Sequence, residues 1–585
     1  MTASSQISNR IFYRCLIWLC SLFCTNVIFS LNSNNAIAQV VLSQNVFPNN
    51  SPLQERPVQP PALPPTDNLI KPQQSPSIEP ETPQNEIPET ITVKNFTVVG
   101  STVFTPAELA EVTSSYLHRP LTIVELYQVR SLITELYSDR GYLYSGAFIP
   151  PQTLTDGIVE IQVIEGRLES INISNSGRLN PNYIVSRLSR ASETPLNSEK
   201  LLEALQLLQL DPLIQNISAE LSAGIEPGTS ILDVDVTIAD TFAVNLITDN
   251  NRSPSVGSWQ RGVGLREANL FGLGDRVEID YLNTDGSDEV TLGYNLPVNA
   301  RNGSLSLFAG YTNSEVVEDP FNFLDIQSET QDYNLSFRQP LIQTPNQELA
   351  LGLTFSHSRS QTEFLEDLID ESVGFPSPGA DEDGRTNISA LRFSQEWINR
   401  GNRDVFALFS QLSLGLDVLG ATTNSDAPDS RFFSWRGQAQ WVRLLAPETL
   451  LLFSSNIQLT GDELLPLEQI GLGGQNTLRG YRENFLLTDN GLSLTGEVRL
   501  PILRATAIQG LLQLTPFIDF GTSWNSDSPN PDNNTLVSTG VGLLWQQGSR
   551  LNARLDWGIP LVAVDERGDS LQEDGIYFSI QYTLF

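Results

Sequence analysis

From about residue 241 to the C-terminus the chain alternates apolar and polar residues with a period of two. Val277, Ile279 and Tyr281 share one phase, with Glu278 and Asp280 on the other. Leu305, Leu307, Ala309 and Tyr311 repeat the pattern, as do Leu349, Leu351, Leu353 and Phe355. Near the end Leu551, Ala553, Leu555 and Trp557 oppose Arg550, Asn552, Arg554 and Asp556. Successive side chains of a strand point to opposite faces, so each run predicts one apolar and one charged face. Sustained to the C-terminus, that pattern is what a barrel in lipid with a wet lumen requires. A soluble sandwich would show shorter strands and would not turn so many charges inward.

About 16 such runs are predicted, centred near residues 246, 263, 279, 292, 307, 335, 353, 391, 411, 437, 455, 495, 518, 541, 554 and 580. An even number suits a bacterial outer-membrane barrel. Connections after even-numbered runs are mostly tight, such as Asn399-Arg400-Gly401-Asn402, whereas those near 360–384, 419–430 and 462–489 are long and polar. Short periplasmic turns and longer outer loops produce that asymmetry. Both barrel ends then lie on the periplasmic side.

Upstream the periodicity changes. Ile91 to Val99 alternates as a strand. Thr105-Pro106-Ala107-Glu108 is a capping box with proline at the first helical position, and Thr122 with Glu125 repeats the device for a helix through Ser138, ended at Gly141. Strands near Ala147–Pro150 and Ile158–Ile164 follow. The order strand, helix, helix, strand, strand then recurs: Leu168–Ile173, a helix from Asn180-Pro181, a helix over Glu199–Leu210, then Ile217–Ala223 and Ile231–Ile238. Two such units, 91–166 and 167–240, form an internal repeat without a catalytic constellation. The predicted fold is thus two α+β units followed by an all-β transmembrane barrel over 241–585.

Residues 39–90 are rich in Pro, Asn, Gln and Ser, with Pro60-Pro61 and Pro64-Pro65 among them, and read as an extended linker. Before it, Arg10 and Arg14 precede an apolar run from Leu16 to Phe29, and Ala36-Ile37-Ala38 supplies a small-x-small cleavage site. Residues 1–38 therefore read as an export signal, a retained anchor being the alternative. Elsewhere no run approaches the roughly 20 apolar residues of a membrane helix, so spanning falls to a closed barrel. The formal charge is −34 and both leader arginines leave with the signal, which argues against nucleic acid as a partner. Cys15, Cys20 and Cys24 all lie in the leader, leaving the mature chain no thiol chemistry. Two histidines far apart, His118 and His357, supply neither a metal site nor a triad, so neither metal, cofactor nor enzymatic activity is expected.

Two short stretches remain. Gly473-Gly474-Gln475-Asn476-Thr477-Leu478-Arg479-Gly480-Tyr481 falls in the loop after the eleventh run, the sixth outer loop. Phe517-Ile518-Asp519-Phe520-Gly521 lies on the thirteenth, with Phe517, Asp519 and Gly521 in one phase. A carboxylate on an otherwise apolar strand calls for a partner, and Arg479 offers a planar fork. This loop-and-strand pair resembles the motif of outer-membrane barrels that carry periplasmic POTRA domains. Within that superfamily the chain is most similar to two-partner secretion transporters of the haemolysin-activator/FhaC type. The segment Gly141-Tyr142-Leu143 through Pro151-Gln152 to Glu165-Gly166 resembles their version of the POTRA domain, and Asn269-Leu270-Phe271-Gly272-Leu273-Gly274-Asp275 matches in the turn after the second run.

The resemblance implies an outer-membrane protein that secretes one large unfolded exoprotein through its lumen, the energy coming from folding outside. The exoprotein would be an adhesin, a cytolysin or a surface enzyme. Leu478, Arg479, Gly480 and Tyr481 would form a lumen lock against Phe517, Asp519 and Gly521. The family's recognition groove is apolar and beside a helix of the first unit, which points to Val129, Leu132, Ile133 and Leu136; the same residues suit the helix's core face. Family members often carry a plug helix, for which only Val40 to Phe47 is available before Pro48. Outer-membrane lipid, and the barrel assembly machinery reading the terminal Phe585, would be further partners, although Phe585 is out of phase with Phe578, Ile580, Tyr582 and Leu584. The alternatives are a factor that assembles barrels or lipids, which usually carries more POTRA domains, and a passive porin, which needs none.

Overall fold

The computed structural model describes Ile70–Lys71 and residues 90–584 apart from 155, 176, 370, 426–427 and 565–567. The leader, most of the linker, any plug helix at Val40 to Phe47, and Phe585 lie outside the described residues.

Strand β1 (Ile70–Lys71) comes first, followed by the first unit: β2 (Asn95–Val99), α1 (Pro106–Thr113), α2 (Ile123–Asp139), β3 (Gly146–Phe148) and β4 (Ile158–Ile164). Both capping boxes form, with Thr105 and Thr122 each exchanging hydrogen bonds with the glutamate three residues on. Strand β4 lies between β2, which is parallel to it, and β3, which is antiparallel. The single strand expected over Ile91–Val99 is broken, and Ile91–Thr92 pairs instead with Pro120–Leu121. The reason is two backbone contacts from elsewhere in the unit: the Val93 carbonyl accepts from His118 N and Lys94 N donates to the Gly157 carbonyl, so neither can continue one ladder.

The second unit repeats the first with β5 (Arg167–Asn175), α3 (Pro181–Ala191), α4 (Ser198–Gln209), β6 (Ile214–Ala223) and β7 (Thr229–Ile238). Again the last strand is central, with β5 parallel and β6 antiparallel to it, and here β1 adds in parallel to the outer edge of β6. Each unit encloses its own apolar core, built around Val129, Ile133 and Ile161 in the first and Ile184, Leu205 and Leu232 in the second.

Sixteen strands then close into an antiparallel barrel. They are β8 (Phe242–Asp249), β9 (Gln260–Ala268), β10 (Arg276–Asn283), β11 (Ser287–Pro297), β12 (Ser304–Glu315), β13 (Gln327–Gln343), β14 (Gln347–Phe364) and β15 (Arg385–Arg400). The circuit continues with β16 (Asp404–Leu416), β17 (Phe433–Ala446), β18 (Thr449–Thr460), β19 (Asn490–Ala505), β20 (Gly510–Trp524), β21 (Thr535–Gln547), β22 (Leu551–Pro560) and β23 (Ile576–Thr583). Strand β8 pairs with β23, which closes the ring and leaves no edge. Burial is inverted relative to a soluble core. Leu265, Ile279, Leu307, Leu335, Leu353, Phe393, Val541 and Leu555 are exposed on the outer wall, whereas Asp332, Thr362, Ser389, Glu497, Thr515 and Asp519 are buried inside. With lipid outside, every backbone group must be satisfied within the ring, and closure does that.

The second unit meets the barrel at its tight turns. Asn180 N donates to the Gly272 carbonyl at 2.8 Å, Arg187 Nε to Asn302 Oδ1 at 2.7 Å and Arg190 Nη1 to the Ala300 carbonyl at 3.0 Å. The turn at Asn269–Asp275 holds its own shape, because the fully buried Asp275 accepts from Phe271 N at 3.0 Å and Asn269 Oδ1 from Gly274 N at 3.0 Å. The tight turns therefore share the side of the two units, and the long loops open at the opposite end.

Candidate functional site: the loop locked inside the lumen

Strand β20 presents its two phases to two media. Phe517, Asp519 and Gly521 are buried toward the lumen, and Ile518 is 57% exposed on the outer wall. The sixth outer loop, 461–489, supplies what covers the inner face. Within it Ile470–Leu472 pairs with Leu486–Thr488 as a short hairpin, and the tip between them carries the glycine-rich stretch.

Every residue of the two motifs meets a counterpart. Arg479 makes a fork to Asp519, with Nε 2.8 Å from Oδ2 and Nη2 2.8 Å from Oδ1, while its backbone N donates to Oδ2 at 3.1 Å. The guanidinium stacks over the Phe517 ring, 3.3 Å from its centroid. Leu478 is fully buried over Gly521, where any Cβ would stand 2.5 Å from Leu478 Cδ1. Gly480 has φ +99°, a backbone that L side chains rarely adopt, and its N donates to Tyr577 Oη at 2.9 Å. Tyr577 Oη in turn donates to the Tyr481 carbonyl at 2.6 Å, and Tyr481 Oη donates to the Val537 carbonyl at 2.8 Å.

The lock is larger than the motif pair. Glu497 on β19 accepts from Arg479 Nη1 at 2.8 Å, from Arg499 Nε at 2.9 Å and from Arg554 Nη2 at 2.5 Å. Arg554 Nε also reaches Asp556 Oδ2 at 2.6 Å, which Gln475 Nε2 meets at 2.9 Å. Three arginines thus balance Glu497, Asp519 and Asp556. Charges withdrawn from water are tolerable only when paired and hydrogen-bonded in this way. The base of the loop is pinned separately: Arg392 on β15 forks onto Glu468 at 2.5 and 3.0 Å, and Gln458 Nε2 donates to the carbonyls of Glu468 and Asp489 at 2.9 and 3.0 Å.

Sequence reasoning placed Arg554 and Asp556 on a charged inward phase without linking them to Arg479, and passed over Glu497 and Tyr577. The inward phase of β19 was the available signal for Glu497; nothing local marks the Tyr577 hydroxyl.

The four docking candidates divide. Val129 and Ile133 are fully buried in the core of the first unit and present no surface, which corrects their reading as groove residues: α2 turns them toward Val159 and Ile161. Leu132 and Leu136 are half-buried. The neighbouring edge strand β3 is tied to α2 by Ala147 N donating to Thr134 Oγ1 at 3.0 Å.

Comparison with known proteins agrees along most of the chain. Residues 228–544, more than half of it, match the family described as haemolysin secretion/activation protein ShlB/FhaC/HecB, and residues 91–166 match the ShlB-type POTRA domain. The heme/hemopexin transporter protein HuxB of Haemophilus influenzae (strain 86-028NP) is 26% identical over 430 residues, covering 71% of this chain and 72% of the relative. The outer membrane transporter CdiB of Escherichia coli is 24% identical over 511 residues, covering 83% and 82%. Among solved structures, CdiB from Escherichia coli superposes with a TM-score of 0.67 at 21% identity, covering 87% of this chain and 93% of that one. BamA from Haemophilus ducreyi lacking POTRA domains 1–3 gives 0.51 at 15% identity, covering 85% and 100%, a likeness of fold.

Proposed function

This chain belongs to the haemolysin secretion/activation family of two-partner secretion transporters, and on that premise we propose that the Arg479 lock holds the sixth loop in the lumen as an organising element of export. The protein resides in the outer membrane with its POTRA units in the periplasm, and it secretes a partner exoprotein. The partner is a large unfolded chain, an adhesin, cytolysin or surface enzyme, that docks on the units by adding a strand and then enters the lumen. Outer-membrane lipid surrounds the apolar wall, and the barrel assembly machinery inserts it. The observation that carries the reading is the fork from Arg479 to Asp519, buried together with Glu497 at the inner wall.

Removing Arg479 leaves Asp519 and Glu497 buried with too little positive charge, an imbalance that costs about 3–5 kcal/mol when one partner of a buried pair is lost. The Arg479→Ala variant is therefore expected to assemble as a barrel, because the ladder is untouched, and to lose most secretion. Comparative proteomics of the medium and cell surface from wild-type, deletion and variant strains measures this. One large protein absent from the deletion and variant samples, with other barrels unchanged, supports the assignment. Broad loss of outer-membrane barrels would point to an assembly factor, and unaltered secretion by the variant would sink the lock.

A further inference from the structure

A second arginine stands three residues beyond Arg479 and faces elsewhere. Arg482 forks onto Glu318, with Nη2 2.7 Å from Oε2 and Nη1 3.0 Å from Oε1, and Nη1 lies 3.2 Å from Glu573 Oε1. Glu318 belongs to the third outer loop, 316–326, and Glu573 to the eighth, 561–575. Following the closed ring from the eighth loop to the third crosses β23 and β8 to β12, more than a third of the circumference. One guanidinium on the inserted loop thus bridges two well-separated points of the outer rim. All three side chains are largely buried, at 13%, 16% and 5% exposure, so the contact is shielded from screening water.

The neighbouring loops are drawn into the same closure. Fully buried Gln572, next to Glu573, accepts from Glu483 N at 2.7 Å and donates to the Arg252 carbonyl of the first loop at 2.7 Å. Val256 of the first loop packs with Val316 and Ile326 of the third, beside Phe364 and Phe375. A polypeptide leaving the lumen must part these loops. Glu497, Asp519 and Asp556, which hold Arg479, sit on barrel strands, whereas Glu318 and Glu573 sit on loops whose displacement breaks no ladder of the barrel.

We propose that Glu318, Arg482 and Glu573 form an external latch, distinct from the Arg479 lock, that shuts the outer mouth at rest and opens for each passing chain. Arg482 is a gating residue in this scheme, and its role in export rests on the transport reading above. Losing one shielded charge-assisted contact shifts a closed–open equilibrium by about tenfold or more. Purified full-length Arg482→Gln in planar lipid bilayers is therefore expected to raise the open fraction about tenfold, with secretion in cells retained.

The decisive arm is a chain carrying Glu318→Cys and Arg482→Cys, bridged by a short bifunctional methanethiosulfonate. Bridging is expected to silence conductance and cut secretion about tenfold or more, and reductant to restore both. Equal secretion by the bridged and reduced forms, or an Arg482→Gln channel as closed as the wild type, would overturn the latch. Should Arg482→Gln fail to assemble, the reduced cysteine pair serves as the open reference and the bridged one decides. A wild-type chain that exports nothing, while the double-cysteine chain loses conductance reversibly on bridging, would overturn the export reading and leave the latch standing.

Discussion

The first periplasmic unit and the barrel bury opposite things. In the unit, Val129, Ile133 and Ile161 are fully enclosed among apolar neighbours. In the barrel, Asp519, Asp556, Thr515 and Ser538 are fully enclosed, and Ile518 stands outward between two of the buried residues of β20. One chain satisfies both arrangements because its two parts meet different solvents. The unit faces water on its outside and must gather its hydrocarbon within. The barrel faces lipid, which gives hydrocarbon no reason to hide, and its wet or loop-filled interior accepts charge provided each charge finds a partner. Burial by itself is therefore no guide to what a residue contributes until the medium on the other side is known.

The contrast predicts that one kind of substitution has opposite effects in the two regions. Ile133→Ala empties volume inside a close-packed core and is expected to cost the first unit about 2–5 kcal/mol. Hydrogen exchange on the full-length protein would register this as lost protection in α2 and β4. Ile518→Ala, whose side chain borders lipid and leaves no enclosed cavity, is expected to change little. If Ile133→Ala kept full protection yet lost exoprotein binding, the residue would be a groove residue after all and the contrast would fail at that point. Next in size is Ile518→Arg. A cation on the lipid face near the bilayer midplane costs about 2–4 kcal/mol, measurable as a lower urea midpoint for barrels folded in vesicles. No change in that midpoint would mean the outward phase of β20 does not border lipid.

The same contrast explains what could be read in the sequence. All 16 expected run centres fall within the barrel strands, because a wall between lipid and lumen forces alternation at every residue. The partnership of Arg479 with Asp519 was readable because a lone carboxylate in an apolar strand advertises its need. Glu497 was not, since one inward acid among many looks like any solvated lumen charge. The latch residues Glu318 and Glu573 lie in loops, where no periodicity reports which way a side chain points. Helix α2 was ambiguous for another reason: an apolar stripe at helical spacing fits a core face and a binding groove equally, and only the buried positions of Val129 and Ile133 separate them. The break at Val93 and Lys94 escaped because each residue's backbone partner, His118 or Gly157, is distant in sequence.

The smallest predicted effect concerns Glu165, a carboxylate of the first unit that gathers four donors, as the lumen acids gather theirs. Glu165 accepts from Thr102 N at 2.6 Å, Thr102 Oγ1 at 2.5 Å, Val103 N at 3.2 Å and Tyr137 Oη at 2.8 Å. It sits where the two units join, since the next residue, Gly166, donates its N to Ser145 Oγ at 2.9 Å and offers its carbonyl to Leu196 N at 2.6 Å. Partial burial pushes the Glu165 carboxyl up, but the donors from Thr102, Tyr137 and Val103 outweigh it and hold the group below its ordinary value of 4.5. A carboxyl depressed in the folded state stabilises at pH values above its unfolded value, and that contribution disappears as acid protonates it through the lower, folded value. Exchange at the junction, corrected for intrinsic rates, should therefore accelerate below about pH 4.5 in the wild type. Glu165→Gln should remove this acid-dependent component and cost about 1 kcal/mol or less at neutral pH, because a half-exposed charge is screened. An unchanged acid response in the variant would show that Glu165 is only a solvated surface acid, and that paired burial of charge is confined to the barrel.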